Sequence, residues 1–117
     1  MSNNSHHSLP GPDDIYREVL PNGITILTRS NFNSPSVVIT GYFGAGALYD
    51  PEDKLGLAEY TSYTLMRGTK TRSFDQIYYE LESAGASLGF SSGMHTSGFN
   101  GRSLSEDLPL LLSLLSE

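Results

Sequence analysis

The chain has 117 residues, with seven Lys plus Arg against thirteen Asp plus Glu, a formal net charge of −6. That length allows at most one modest domain, and the acidic balance argues against a nucleic-acid partner or a polybasic membrane patch. With no cysteine, disulfides, thiolate metal sites and thiol nucleophiles are excluded, and no apolar run of about 18 residues supports a transmembrane segment.

Residues 1–14, MSNNSHHSLPGPDD, read as a disordered leader, because they hold too few apolar groups to offset the entropy of ordering. His6 and His7 fall in it and are read as tail rather than as a metal site. The stretch lacks the apolar centre of a secretory signal. The expected address is cytoplasmic if Met1 is the native start, and periplasmic or organellar if the N-terminus is truncated.

Order is expected over residues 15–117. IYREVLPNGITILT places two β-prone runs around Pro21-Asn22-Gly23, and Asn-Gly favours a hairpin because both residues tolerate positive φ. SVVITGYFGAG follows as a strand apolar on both faces, which suits a central position. Gly44-Ala45-Gly46 lacks the Lys-Ser/Thr of a phosphate loop and is read as a tight strand exit. In GLAEYTSYTLMRGT, Leu57, Tyr60, Thr61, Thr64 and Leu65 share one helical face, and Gly68 ends the helix. Ser73 and Gln76 fit a capping box. After it Phe74, Ile77, Tyr78 and Leu81 form an apolar stripe that stops at Gly85. Residues 86–92 and 96–103 read as two glycine-weakened strands.

SEDLPLLLSLLSE closes the chain as a helix capped by Ser105, with Pro109 in its first turn. Its six leucines leave almost no polar face, so it needs cover on several sides. The chain is therefore expected to be part of a larger fold, or to associate. The order of elements predicts an α+β two-layer sandwich, a mostly antiparallel sheet covered by helices, as part of the full domain.

With LPNGITIL, GYFGAGALYD, GLAEYTSYTLMRGT, SFDQIYYELESAGASLGF and SLSEDLPLLLSLL in this order, the chain from Tyr16 onward resembles the peptidase family of pitrilysin, insulin-degrading enzyme and the mitochondrial processing peptidase. In active members of that family the first helix carries His-x-x-Glu-His. Two histidines one turn apart bind zinc, and the glutamate beside them takes a proton from the bound water. The resemblance puts Glu59 and Tyr63 at the histidine positions and Ser62 at the base. A third ligand would fall beyond Glu117. Zinc is the family cofactor, and these replacements imply none here. Glu59 and His95, with Asp50 or Glu52, are the weak candidates for a relocated metal site.

The resemblance implies a non-catalytic, peptidase-like subunit or domain that helps form a peptide-binding chamber with a catalytic relative. The alternative is a zinc-dependent metalloendopeptidase with rewired ligands. The partners expected are a catalytic metallopeptidase homologue or a second copy, and an extended peptide. In the family a peptide adds to a sheet edge, which here corresponds to Leu88-Gly89-Phe90-Ser91-Ser92. Active members usually have Asn-Ala where Gly89-Phe90 stands, and Leu88 and Phe90 also read as core residues at alternate strand positions.

Overall fold

The computed structural model describes residues 11–117, and the chain divides into two units, one ending at Ser34 and one spanning Pro35–Glu117. Of the expected leader, residues 1–10 with His6 and His7 lie outside the described residues, and Pro12–Asp14 form a single 3₁₀ turn.

In the first unit, β1 (Tyr16–Val19) and β2 (Thr25–Thr28) pair antiparallel, Tyr16 opposite Thr28. The Gly23 N–H donates to the Leu20 carbonyl at 2.9 Å, and the Leu20 N–H donates to the Ile24 carbonyl at 2.8 Å. Of the two turn residues expected to exploit positive φ, only Gly23 does so, at +88°. Pro21 presets the turn, and Gly23 supplies the left-handed residue of a three-residue hairpin loop. Asn22 contributes its side chain instead, accepting the Ile24 N–H at 3.1 Å.

The second unit runs β3 (Ser36–Phe43), α1 (Leu57–Thr64), α2 (Phe74–Ser83), β4 (Ser87–Ser92), β5 (Ser97–Leu104) and α3 (Leu108–Ser116). Its sheet is antiparallel in the order β3-β5-β4. The α+β architecture and the element order are those read from the sequence. The central strand is not. β5 takes the middle and β3 an edge, because β4 and β5 form a hairpin and β3 adds to the free side of β5.

Pairing fixes which residues share a face. Ile39, Gly101 and Leu88 lie in one row, and Leu111 of α3 and Ile77 and Leu81 of α2 pack on that side. Ile77, Leu81, Leu111 and Leu114 are the buried apolar core, each contributing about 1.5–3 kcal/mol by burial. Gly101 lets the layers approach closely there: a Cβ would stand 3.1 Å from Ile39 Cγ1 and 3.3 Å from Leu111 Cδ1, so both side chains would have to give by a few tenths of an ångström. Among the described residues of this unit, no helix packs on the opposite sheet face.

α2 has the expected capping box, Gln76 N–H to Ser73 Oγ at 3.3 Å and Ser73 N–H to Gln76 Oε1 at 2.8 Å. It ends at Gly85, whose φ of +58° lets the Ala86 N–H reach the Leu81 carbonyl. α3 differs from expectation at its start. Ser105 does not cap it; the Ser105 N–H bonds the Pro35 carbonyl at 2.9 Å, and a 3₁₀ turn intervenes before Leu108. Only Leu111 and Leu114 are buried, while Leu112 remains 52% exposed. No helix of the described residues is long and apolar enough to cross a membrane.

α1 is fixed from outside its own sequence. Gly56, at φ +90°, is the N-cap and has no side chain to satisfy the first N–H groups. Asp50 does this instead, accepting Gly56 N–H at 2.8 Å and Ala58 N–H at 3.0 Å. A carboxylate on these N–H groups also suits the positive end of the helix. Asp50→Ala is expected to cost about 1 kcal/mol, up to about 2, read as a lower urea midpoint with unchanged slope. An unchanged midpoint would show that water replaces the cap without loss.

A second fastening ties α3 to the segment before α2. The Glu117 carboxylate accepts Thr69 Oγ1 at 2.7 Å and Thr71 Oγ1 at 2.6 Å, and pairs with Arg72. Arg72 also bonds Glu80 through Nε at 3.1 Å and Ser113 through Nη2 at 3.2 Å. The two threonine hydroxyls, then Arg72, hold the Glu117 carboxyl below its ordinary 4.5. A depressed folded-state pKa gives stability that is present above the unfolded value and lost as pH falls through the folded one. Glu117→Gln should therefore melt below the parent near neutral pH, with the gap narrowing as pH falls below 4.5 and closing once it has passed through the lower folded-state pKa. A gap that stays constant on acidification would contradict this.

Candidate functional site

α1 is rich in hydroxyls, and most are spent on its own backbone. Thr61 donates to the Leu57 carbonyl at 2.7 Å, Ser62 to Ala58 at 3.0 Å, and Thr64 to Thr61 at 2.9 Å. This back-bonding satisfies the side chains without recruiting neighbours.

The face expected to be buried is not the one that is. Tyr60 is 70% exposed and Leu57 and Leu65 are over 40% exposed, whereas Ser62 is 7% exposed. Small residues make the difference: Ala58 and Ser62, one turn apart, let the helix lie close to the sheet, and the bulky tyrosines stay outside. The three positions singled out by sequence therefore separate. Glu59 and Tyr63 are exposed and meet each other, Tyr63 Oη donating to Glu59 Oε1 at 3.3 Å. Ser62 turns inward, into a cleft of about 240 Å³ with Phe43, Ala45, Leu57, Leu65 and Ser97.

That donor set does not fit zinc. It offers one carboxylate already holding a phenol proton, a buried hydroxyl committed to a carbonyl, and no imidazole, where zinc takes neutral His nitrogens, thiolates or carboxylates in a closed or nearly closed set. Among the described residues, no three His, Cys, Asp or Glu side chains gather to hold an ion. His95, which falls between the two expected strands, occupies the exposed β4–β5 turn, which the Gly93 N–H closes on the Thr96 carbonyl at 2.8 Å. Asp50 is committed to the α1 cap, and Glu52 lies on a separate exposed 3₁₀ turn.

Sequence reasoning missed two features of the site. From the sequence Asp50 stands out only as a weak metal candidate; its capping role is invisible locally because it acts six and eight residues away. Ser97 is 6% exposed, donates to the Ala45 carbonyl and lies 2.9 Å from Ser92 Oγ. Strict alternation along β5 would have placed it inward. The exit Gly44-Ala45-Gly46 is tight, as expected: a Cβ on Gly46 would come within 2.5 Å of the Met94 carbonyl oxygen.

The candidate peptide segment Leu88–Ser92 is β4, an edge strand paired only with β5. Leu88 packs on the core, Phe90 lies 6.5 Å from Phe99 between ring centres, and Ser92 bonds Ser97. Gly89 and Ser91 take the opposite face. Among the described residues, no strand pairs with its outer backbone edge.

The comparisons agree with this architecture. Residues 25–117 match the profile of insulinase, peptidase family M16. The mitochondrial-processing peptidase subunit beta of Saccharomyces cerevisiae is 30% identical over 98 residues, 84% of this chain and 21% of that protein. An uncharacterized zinc protease of Rickettsia bellii is 32% identical over 98 residues, 84% of this chain and 24% of that protein. The crystal structure of a peptidase M16 inactive domain from Pseudomonas fluorescens superposes with a TM-score of 0.79 at 22% identity, covering 88% of this chain and 25% of that one. The chain thus spans about a quarter or less of the length of these relatives. It belongs to the insulinase family of peptidases, family M16.

Proposed function

We propose that this chain is the N-terminal portion, residues 15–117, of a non-catalytic family member that helps to form a peptide-binding chamber with a catalytic relative. The observation that carries the reading is the state of α1. At the positions where active members hold two zinc ligands and a base, Glu59 and Tyr63 satisfy each other and Ser62 is buried against Ala58.

The chemistry follows from those residues. A serine hydroxyl has no basicity useful for activating water near neutral pH, and a phenol with a reference pKa near 10 is a poor ligand there. Ser62 also faces an apolar cleft rather than solvent, so a carboxylate in its place would be penalised by burial. The Pseudomonas fluorescens domain, described as inactive, lends support by its fold alone.

What such a chain retains is a binding surface. β4 keeps a free edge beside α1, and main-chain pairing to an added strand does not depend on which side chains fill the zinc positions. Leu88 and Phe90 serve the core on the inner face and leave the edge available.

Metal analysis of the purified full-length protein tests the reading. Zinc is expected far below one equivalent per chain after dialysis, with no change on Glu59→Ala. One equivalent of zinc that is lost in Glu59→Ala would instead establish a rewired metalloendopeptidase.

A further inference from the structure

The Asp50 carboxylate that caps α1 is carried to the helix by the segment leaving β3, and that segment is fastened to the β4–β5 turn. The Ala47 N–H donates to the Gly93 carbonyl at 2.9 Å, and the Leu48 N–H to the Met94 carbonyl at 3.0 Å. Just before them, the buried Ser97 hydroxyl donates to the Ala45 carbonyl and meets Ser92 Oγ at 2.9 Å. A single 3₁₀ turn, Ala47–Tyr49, then reaches Asp50. It is closed by the Tyr49 N–H on the Gly46 carbonyl at 2.9 Å and the Asp50 N–H on the Ala47 carbonyl at 3.2 Å. All four N–H groups from Ala47 to Asp50 are thus bonded, and the carboxylate is held at the end of a fixed run.

Gly46 shows how close the seat is. Its φ of −103° is open to any residue, so the backbone there does not call for glycine. Space does: a Cβ would stand 2.5 Å from the Met94 carbonyl oxygen and 2.6 Å from that of Gly93. These are the two carbonyls that accept from Leu48 and Ala47. They belong to the backbone and cannot rotate aside as a flexible side chain would.

We infer that residues 44–50 are a strap seated on the β4–β5 turn, and that the seated strap is what holds the N-terminus of α1. The dependence runs one way. The cap needs the seat, but the bonds to Gly93 and Met94 close upstream of Asp50 and do not need the cap. When the strap lifts, Gly56 and Ala58 lose their acceptor, and Gly56 has no side chain to replace it. The first turn of α1 then frays. Glu59, Ser62 and Tyr63 ride on that helix, so a displaced turn is felt at positions that the strap alone connects to it. This fastening operates whether or not β4 takes a peptide.

Amide hydrogen exchange on the full-length protein tests the strap. Ala47 and Leu48 report the seat, Gly56 and Ala58 the cap, and Ile77 and Ala86 the rest of the unit. Gly46→Ala is expected to speed exchange at all four seat and cap amides by about ten-fold or more, leaving Ile77 and Ala86 unchanged. Asp50→Ala should speed Gly56 and Ala58 to a similar degree while Ala47 and Leu48 stay protected. Ser97→Ala, which removes one hydroxyl from the fastening, should act on the same four amides by about three-fold. It decides the matter if Gly46→Ala releases Ile77 as well. Seat amides released with cap amides still protected, in either strap variant, would overturn the inference. So would loss of protection at Ala47 and Leu48 in Asp50→Ala, or no change at either pair in both strap variants.

Discussion

Two hydrogen bonds from backbone to one carboxylate determine what this surface presents. Asp50 accepts the Gly56 and Ala58 N–H groups and so fixes where α1 begins. With the start fixed, helical geometry leaves no freedom about which side chains face the sheet. Ala58 and Ser62 go inward, and Glu59, Tyr60 and Tyr63 go out. A glycine N-cap with a left-handed φ cannot supply this restraint from its own side chain, so a residue from the preceding loop is needed.

Several elements could be read from residues alone because their signals are local. Ser73 with Gln76, Gly85 at the end of α2, and Pro21-Asn22-Gly23 in the hairpin each act within a few residues of themselves. The resemblance carried by GLAEYTSYTLMRGT and its neighbours supplied the family, which composition and periodicity could not have done. Three features resisted for a common reason. The position of β3 at the sheet edge depends on which strand claims β5. The buried stripe of α1 depends on close approach to the sheet, which favours small residues that a search for large apolar ones passes over. The identity of the true cap depends on a loop folding back over six residues. Each is decided by contacts distant in sequence.

The same geometry joins stability to the proposed loss of catalysis. A zinc helix must aim its ligands at an open site and keep its base wet enough to exchange protons. Here the residue at the base position is packed under the helix, and the two ligand positions close on each other through the Tyr63 hydroxyl. Neither arrangement leaves a polar group in want of a partner. Among the described residues, the outer backbone edge of β4 has no paired strand, and the proposed peptide contact is placed there.

The central claim is that this protein contributes to peptide cleavage without performing it. The most direct measurement is an add-back assay, in which a peptide substrate is exposed to a catalytic relative from the same organism with and without the full-length protein. The account predicts no cleavage by this protein alone at any zinc concentration, and cleavage by the relative that rises when the two are combined and saturates at a fixed ratio. Chelator-sensitive cleavage by this protein alone, abolished by Glu59→Ala, would contradict it.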